Sequence, residues 1–122
     1  MYQQKQTHQP VLLKEVLQRL QPKQAESYLD VTAGYGGHAA AVLARTNSPE
    51  KAVLVDRDSE AIKSLKARFA EQGVKIIHQD FLAASNRLAG KARRFEMILA
   101  DLGVSSPHLE RATRGFSLKN PG

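Results

Sequence analysis

Apolar residues along the chain follow two spacings, one typical of helices and one typical of buried strands. Residues 10–20 (PVLLKEVLQRL) place apolar side chains on one helical face behind an initial proline, which predicts an amphipathic helix. Residues 52–56 (AVLVD) form a β-branched apolar run without polar alternation, as expected of a parallel strand buried on both faces. The two patterns predict that helices and strands share one core.

The same patterns alternate through the rest of the chain. Three more strands are predicted at 27–31 (SYLDV), 74–80 (VKIIHQD) and 96–101 (EMILAD). Further helices are predicted at 39–45 (AAAVLAR), from the candidate N-caps Asp58 and Ser59 to a C-terminal Gly73, and at 82–92 (LAASNRLAGKA). Alternating strands and helices predict an α/β fold with a mostly parallel sheet and right-handed crossovers.

Residues 102–122 follow no clear period, so the predicted sheet stops at its fourth strand. This would leave one sheet edge unpaired, which favours either an incomplete domain or association of copies through that edge. We expect residues 1–9, which are polar, to be a flexible segment, and 10–122 to form one partial domain.

Composition narrows the classes of protein. The 122 residues contain 18 Lys and Arg against 12 Asp and Glu, a formal charge of +6, which favours a nucleic acid among the partners. The absence of cysteine excludes disulfides, thiolate zinc sites and a cysteine nucleophile. No apolar run approaches the roughly 20 residues that span a bilayer, and the polar opening is unlike a signal peptide. We therefore expect a cytoplasmic protein with no membrane partner.

An aspartate follows or closes each predicted strand: Asp30, Asp56, Asp80 and Asp101. In an open parallel sheet the carboxyl ends of the strands form the ligand crevice, so these four acids should gather around one cleft. Any one of them has a second reading, because aspartate also begins turns and caps helices. Four in register favour a ligand, since clustered carboxylates repel one another without an offsetting charge.

The first turn, residues 30–39 (DVTAGYGGHA), admits two classes of cofactor. Its spacing Gly34-x-Gly36-x-x-Ala39 satisfies the dinucleotide fingerprint, which keeps a nicotinamide or flavin enzyme open. Asp30 beside the turn favours instead a ligand with an ammonium or sulfonium group, and S-adenosylmethionine carries both. Asp56 then stands where an acid accepts hydrogen bonds from ribose hydroxyls, and Asp80-Phe81 offers an acceptor and an apolar wall for a purine.

The histidines and serines give less evidence about the chemistry of the site. His38 lies at the start of a predicted helix, where its side chain either reaches the pocket or faces solvent. The other three histidines show no spacing typical of metal ligands, so no metal site is predicted. No Ser-His-Asp arrangement can be read from spacing, although Ser105 and Ser106 lie in a candidate active loop.

Six segments occur in the order and spacing of one family: HQPVLLKEVL, DVTAGYGGH, LVDRD, HQDF, LADLGVSSPHLE and RGFS. Over residues 8–118 the chain resembles the bacterial small-subunit (16S) rRNA cytosine-N4 methyltransferases known as RsmH or MraW, and DLGVSSP followed by RGFS is the most specific part. The resemblance implies a Rossmann-like class I methyltransferase fold. It also implies methyl transfer from S-adenosylmethionine to the exocyclic amine of a cytidine in 16S rRNA of the small ribosomal subunit.

The resemblance also implies roles for individual residues. Cofactor contacts fall on Gly36, Gly37, His38, Asp56, Phe81 and Asp101, and on His108, where the family usually has glutamine. The chemistry of the reaction adds a hypothesis beyond the resemblance: Asp101, or the backbone of the loop after it, accepts a hydrogen bond from the cytidine amine, which makes Asp101 the catalytic candidate. Ser105 and Ser106 would shape the substrate pocket, and Arg114 of RGFS would meet RNA phosphate.

The family's enzymes are considerably longer, so the resemblance covers only their N-terminal portion. An alternative is therefore a non-catalytic portion that binds cofactor, RNA or a copy of itself.

Overall fold

The structure is a computed structural model that describes residues 9–90, 94–101 and 108–117, with the side chains of 13–88 and 94–101. Its helices are α1 (Gln9–Leu20), α2 (Gly37–Thr46), α3 (Ser59–Phe69) and α4 (Phe81–Gly90). Its strands are β1 (Tyr28–Asp30), β2 (Ala52–Asp56), β3 (Lys75–His78), β4 (Arg94–Ala100) and β5 (His108–Ser117). Short 3-10 turns precede β2 and follow α3.

The strands form one sheet in the order β3-β2-β1-β4-β5, in which the first four are parallel and β5 runs antiparallel to β4. The predicted α/β class with a mostly parallel sheet is confirmed, and the arrangement is Rossmann-like. The chain leaves β1 toward β2 and later returns on its other side as β4. Loops on either side of β1 therefore diverge, which opens a crevice at the carboxyl ends of the strands.

The fifth strand is the main departure from the prediction. Residues 108–117 lack an apolar alternation, yet their backbone pairs with β4 from Ala100↔His108 to Arg94↔Ser117, with a register irregularity between Phe95 and Met97. Backbone hydrogen bonding to an open edge needs no side-chain period, which is why the pattern did not reveal it. The sheet thus continues beyond the predicted fourth strand, and the outer strands of the described sheet are β3 and β5.

Apolar side chains form two layers, one on each face of the sheet. Helices α1, α2 and α3 cover the first face, where Leu54 and Leu65 are wholly buried. Helix α4 covers the second face through Ala84 and Leu88. Helices on both faces explain why the parallel strands read as continuous apolar runs.

Local signals place the helix ends where the sequence predicts them. The Asp58 carboxylate accepts a hydrogen bond from the Glu60 N–H at the start of α3, and Gly73 ends the following 3-10 turn at φ 95°. Helix α1 already includes Gln9, so only residues 1–8 of the predicted flexible segment lie outside the described residues. Within the described chain, no helix combines the length and apolarity needed to cross a membrane.

Candidate active site

The carboxyl ends of β1, β2 and β4 bring three polar residues to one level of the sheet. The register pairs Asp30 with Leu54 on one side and with Leu99 on the other. Two residues further along, side chains point to the same face again, which sets Thr32 between Asp56 and Asp101. The predicted gathering of aspartates at this edge is therefore confirmed for Asp56 and Asp101.

A cavity of about 640 Å³ opens at this edge and is lined by Val31, Thr32, Asp56, Arg57, Asp80, Phe81, Leu82 and Asp101. The volume lies within the range that holds nucleotide-sized ligands. Three carboxylates, one guanidinium and an aromatic ring share its wall. Among the described residues, no cluster of three or more acids and histidines has the arrangement of a metal site.

Asp56 links the cavity to the glycine turn. One carboxylate oxygen accepts a hydrogen bond from the Gly34 N–H at 2.8 Å, and the other accepts from the Asp58 N–H at 2.9 Å. A carboxylate has about four acceptor positions, so both oxygens can still accept from a ligand. Asp56 is half-buried, which is the placement expected of a residue that contacts a ligand.

Asp80 and Phe81 form the wall at the start of α4. The Asp80 carboxylate accepts from the Ala83 N–H at 2.7 Å and so caps the helix. Phe81 is half-buried and packs against the second apolar layer, and the exposed Leu82 stands beside it. Asp80 therefore both caps helix α4 and lines the cavity.

Asp101 is joined to β1 through Thr32, because the Asp101 N–H donates a hydrogen bond to the Thr32 hydroxyl. This bond ties the ends of β1 and β4 where their loops begin to diverge. The sequence pattern did not distinguish Thr32 from the other residues of the glycine turn. The pattern that would have singled it out is its position two residues beyond Asp30, level with the acids of both neighbouring strands.

Asp30 has a different place from the one predicted. It is fully buried, its carboxylate accepts from the Tyr28 hydroxyl and from the Thr32 N–H, both at 3.0 Å, and it does not line the cavity. Burial raises the pKa of Asp30 to about 7, and the two hydrogen bonds oppose part of that rise. The expectation that Asp30 faces a cationic ligand is therefore wrong, since its oxygens are turned into the protein to hold the turn.

The two glycines of the turn that have positive φ, Gly34 and Gly36, differ in their surroundings. A Cβ on Gly36, at φ 91°, would lie 2.7 Å from the Phe69 ring and 3.1 Å from Leu65, so helix α3 occupies that space. A Cβ on Gly34, at φ 58°, would meet nothing within 4 Å. In the dinucleotide reading, the second glycine allows a pyrophosphate to approach. Here Gly36 instead allows a helix to approach, which removes the support that its spacing gave to that reading.

His38 lies in the first turn of α2, with Gly37 as the first residue of the helix. Its Nε2 is buried without a hydrogen-bond partner among the described residues. Burial lowers the pKa of His38, while the negative charge of Asp101 opposes the shift. Gly36, Gly37 and His38 do not line the cavity, and His38 is close enough to Asp101 to sense its charge.

Two of the remaining predicted residues, His108 and Arg114, lie at different positions along β5. His108 pairs with Ala100 and so lies at the same end of the sheet as Asp101. Arg114 lies on the far part of β5, between Arg111, which pairs with Met97, and Phe116, which pairs with Phe95. The register thus does not bring Arg114 to the cavity end of the sheet. Ser105 and Ser106 lie outside the described residues.

Arg57, like Thr32, is a polar cavity residue that the sequence pattern did not single out. It follows Asp56 directly and adds a positive charge to a wall of three carboxylates. Its backbone carbonyl accepts a hydrogen bond from Nε2 of His78 at 2.9 Å, which ties the end of β2 to β3. The feature of the sequence that could have identified Arg57 is its position immediately after Asp56, the acid that ends β2.

The fold and the cavity define an α/β protein with an acid-lined crevice at the switch point of its sheet. The model of the MraW methylase family matches residues 5–122, so the chain belongs to the MraW methylase family. Family membership decides against the nicotinamide oxidoreductase alternative.

Curated relatives share one printed name, ribosomal RNA small subunit methyltransferase H. The chain is 43% identical over 122 residues to that of Acidithiobacillus ferrooxidans (strain ATCC 53993 / BNL-5-31), which covers 95% of this chain and 38% of the relative. It is 41% identical over 119 residues to that of Nitrosococcus oceani, with 95% and 38% covered. The chain therefore spans somewhat more than a third of these relatives' length.

Among solved structures, the pyocyanin biosynthetic protein PhzM aligns with a TM-score of 0.47 and 22% identity, covering 74% of this chain and 36% of that one.

Proposed function

We propose that this chain is the cofactor-binding part of an S-adenosylmethionine-dependent methyltransferase that modifies the N4 amine of a cytidine in 16S rRNA. The observation that carries the proposal is the cavity at the carboxyl ends of the strands, where Asp56, Asp80 and Asp101 share one wall with Phe81. Membership of a methylase family and the printed names of the relatives supply the reaction class and the RNA.

The residues present suit S-adenosylmethionine by their chemistry. Asp56 keeps acceptor positions for ribose hydroxyls after binding two backbone N–H groups. Phe81 offers an apolar face to a purine, and the Asp80 carboxylate lies at the same wall. Asp101 is held beside Thr32 and is close enough to His38 to affect its charge, so a negative charge there would meet the cationic part of the cofactor, and Gly36 and Gly37 are proposed to contact it from the adjoining turn.

Asp101 has two possible functions in this proposal. S-adenosylmethionine supplies a methyl group on a positively charged sulfur. A cytosine amine is a weak nucleophile, because its lone pair is delocalised into the ring. A carboxylate that accepts a hydrogen bond from the amine holds it in line for attack and later takes its proton. Asp101 does this if it faces the substrate, whereas it contacts the cofactor if it faces the ammonium group.

The RNA is the proposed macromolecular partner. A formal charge of +6 favours association with phosphate. Ser105 and Ser106 are proposed to shape the nucleotide pocket and Arg114 to contact phosphate. Because Arg114 belongs to the far part of β5, its contact would be with RNA outside the cavity.

A second proposal is that this chain binds without turnover, as a portion that holds cofactor, RNA or another copy of itself. The observation in its favour is coverage, since the chain matches 38% of the length of a relative at 43% identity. The outer strands β3 and β5 are the edges through which copies would pair.

Isothermal titration with S-adenosylmethionine, using NAD as the control ligand, tests the cofactor. We expect saturable binding of S-adenosylmethionine alone, and Asp56→Ala should abolish it because the turn and the ribose acceptor are lost together. Equal binding of NAD, or binding that survives Asp56→Ala, would contradict this assignment of the cavity.

Methyl transfer is tested with radiolabelled S-adenosylmethionine and either naked 16S rRNA or small subunits, followed by nucleoside mass spectrometry for N4-methylcytidine. Asp101→Asn separates the two functions of that residue. A fall in turnover at unchanged cofactor affinity identifies the acceptor, and a fall in affinity identifies a cofactor contact. Cofactor binding without transfer to either RNA would support the binding-only proposal.

A further inference from the structure

The glycine turn between β1 and α2 is held by residues of two other elements. The Gly34 N–H donates to the carboxylate of Asp56, a cavity residue, at 2.8 Å. Nη1 of Arg68, from helix α3, donates to the Tyr35 carbonyl oxygen at 2.8 Å. Within the turn, the Gly36 N–H donates to the Ala33 carbonyl oxygen at 3.0 Å. Residues 34–36 are thus clamped between a ligand-facing acid and a distant helix.

The pose of Arg68 is itself fixed. Its guanidinium carbon lies 5.4 Å from the centroid of the Phe69 ring, within the range of a cation–π contact. Phe69 is 4% exposed and belongs to the apolar layer under α2 and α3. A guanidinium that stacks on an immobile ring loses little further freedom when it donates to the turn.

The turn also fits closely against the same part of α3. The position of a Cβ on Gly36 is 2.7 Å from Phe69, 3.1 Å from Leu65 and 3.3 Å from Nη1 of Arg68. One face of α3, formed by Leu65, Arg68 and Phe69, therefore meets the turn through apolar contacts at Gly36 and a hydrogen bond to the Tyr35 carbonyl. Displacement of the turn would therefore disturb the packing at Gly36 and the Arg68 hydrogen bond together.

We infer that Arg68 is a positioning residue for the cofactor, which acts through the Tyr35 carbonyl to keep the glycine turn in the conformation that presents Gly34 and Asp56 to the ligand. This inference rests on the proposed function, because it assumes that the turn meets S-adenosylmethionine. The bond is charge-assisted, and its loss is expected to weaken cofactor binding about tenfold.

The direction of the change in cofactor affinity separates a positioning role of Arg68 from a purely electrostatic effect of its charge. S-adenosylmethionine is cationic, so removing a nearby positive charge should by itself strengthen binding. Positioning predicts the opposite for Arg68→Ala. Lys66→Ala is the matched control, because it removes an exposed positive charge from the same helix. Lys66 is exposed, whereas the described side-chain hydrogen bond from α3 to the turn is that of Arg68.

The experiment measures cofactor affinity by titration and, in the ligand-free protein, amide hydrogen exchange of Gly34 and Gly36 by NMR. For Arg68→Ala we expect about tenfold weaker binding and faster exchange at these two amides, while amides of β2 exchange as before. Lys66→Ala should show neither effect. Methylguanidinium at millimolar concentration should restore part of the affinity of Arg68→Ala, because it fills the site that stacks on Phe69.

Each other result overturns the inference. Unchanged affinity and exchange in Arg68→Ala would show that the turn holds itself. Faster exchange at all amides alike would mean that Arg68 only stabilises the fold, and weaker binding without faster turn exchange would mean a direct contact. If the unaltered chain binds no S-adenosylmethionine, the proposed function fails for this chain, and the exchange of Gly34 and Gly36 alone decides whether Arg68 holds the turn.

Discussion

Asp30 shows how burial changes the behaviour of one residue. The sequence places an acid beside a glycine turn, and an acid in water would be charged. In the fold, its carboxylate is fully buried between the Tyr28 hydroxyl and the Thr32 N–H. The type of residue and its place at the end of β1 were predictable. Its inward orientation was not, because that depends on Tyr28 being buried two residues earlier on the same face of the sheet.

The first prediction concerns the pH dependence of stability. Burial raises the pKa of Asp30 from 3.8 to about 7, so the folded state binds this proton more tightly than the unfolded state does. The resulting stabilisation is fully present below about pH 4 and is lost as pH rises through 7, by up to about 4 kcal/mol. Asp30→Asn keeps an acceptor for Thr32 but cannot ionise. Urea unfolding should show the variant gaining stability relative to the parent between pH 4 and pH 8.

Tyr28→Phe is the companion variant for that series. The Tyr28 hydroxyl lowers the pKa of Asp30 by hydrogen bonding, so its removal should raise that pKa further. The loss of stability would then extend to higher pH. Parallel pH profiles for the parent and Asp30→Asn would show that Asp30 does not titrate in this range.

The second prediction separates backbone conformation from packing in the glycine turn. Both Gly34 and Gly36 have positive φ, but only Gly36 would place a Cβ against another side chain. Gly34→Ala should therefore cost about 1 kcal/mol for the left-handed conformation alone. Gly36→Ala adds a clash with Phe69 and should cost about 3 kcal/mol. Denaturant midpoints at equal m-values measure the difference, and equal losses would refute the packing contribution.

At the scale of elements, local signals predicted helices better than they predicted the last strand. Asp58 caps α3 and Gly73 ends the 3-10 turn that follows it, because capping and left-handed glycine depend on a few neighbouring residues. Strand β5 depends on β4 instead, and pairing from Ala100↔His108 onward is a long-range contact. An edge strand bonded through its backbone can form without the alternation that identifies buried strands.

The third prediction tests the cap of α3. The Asp58 side chain accepts from the Glu60 N–H at 3.0 Å, so Asp58→Ala should lower the free energy of unfolding by about 1 kcal/mol. Asp58→Asn keeps an acceptor and should lose much less. Lys63→Ala is the control, because it removes only an exposed ion pair with Glu60 and should change stability by less than about 0.5 kcal/mol. Equal effects of the alanine and asparagine variants at position 58 would exclude capping as the cause.

At the scale of the whole molecule, a leucine in the core and a leucine at the cavity rim contribute very differently to the free energy of unfolding. Leu54 is 0% exposed in the layer under α1 to α3, whereas Leu82 is 61% exposed beside the cavity. The fourth prediction is that Leu54→Ala costs about 3 kcal/mol. Leu82→Ala should cost less than about 0.5 kcal/mol, because it removes an exposed side chain. Urea unfolding of the two variants compares identical chemical changes, and similar losses would contradict the described burial.

The sequence by itself determined the α/β class, the four parallel strands and the aspartates at their ends. Each of these follows from short-range periodicity and from the rule that parallel strands share a carboxyl edge. Resemblance of motifs identified the family, and Asp56, Phe81 and Asp101 were assigned to the cofactor before the cavity was known.

Only the tertiary structure decided which of those residues face the cavity and which face the protein. Asp30 turns inward to Tyr28, and Gly36 makes room for Phe69 rather than for a ligand. Arg68, far from the turn in sequence, reaches its tip, and β5 covers the edge of β4. These outcomes depend on contacts between residues that are distant along the chain. Local periodicity carries no information about such contacts, because their partners are chosen by packing.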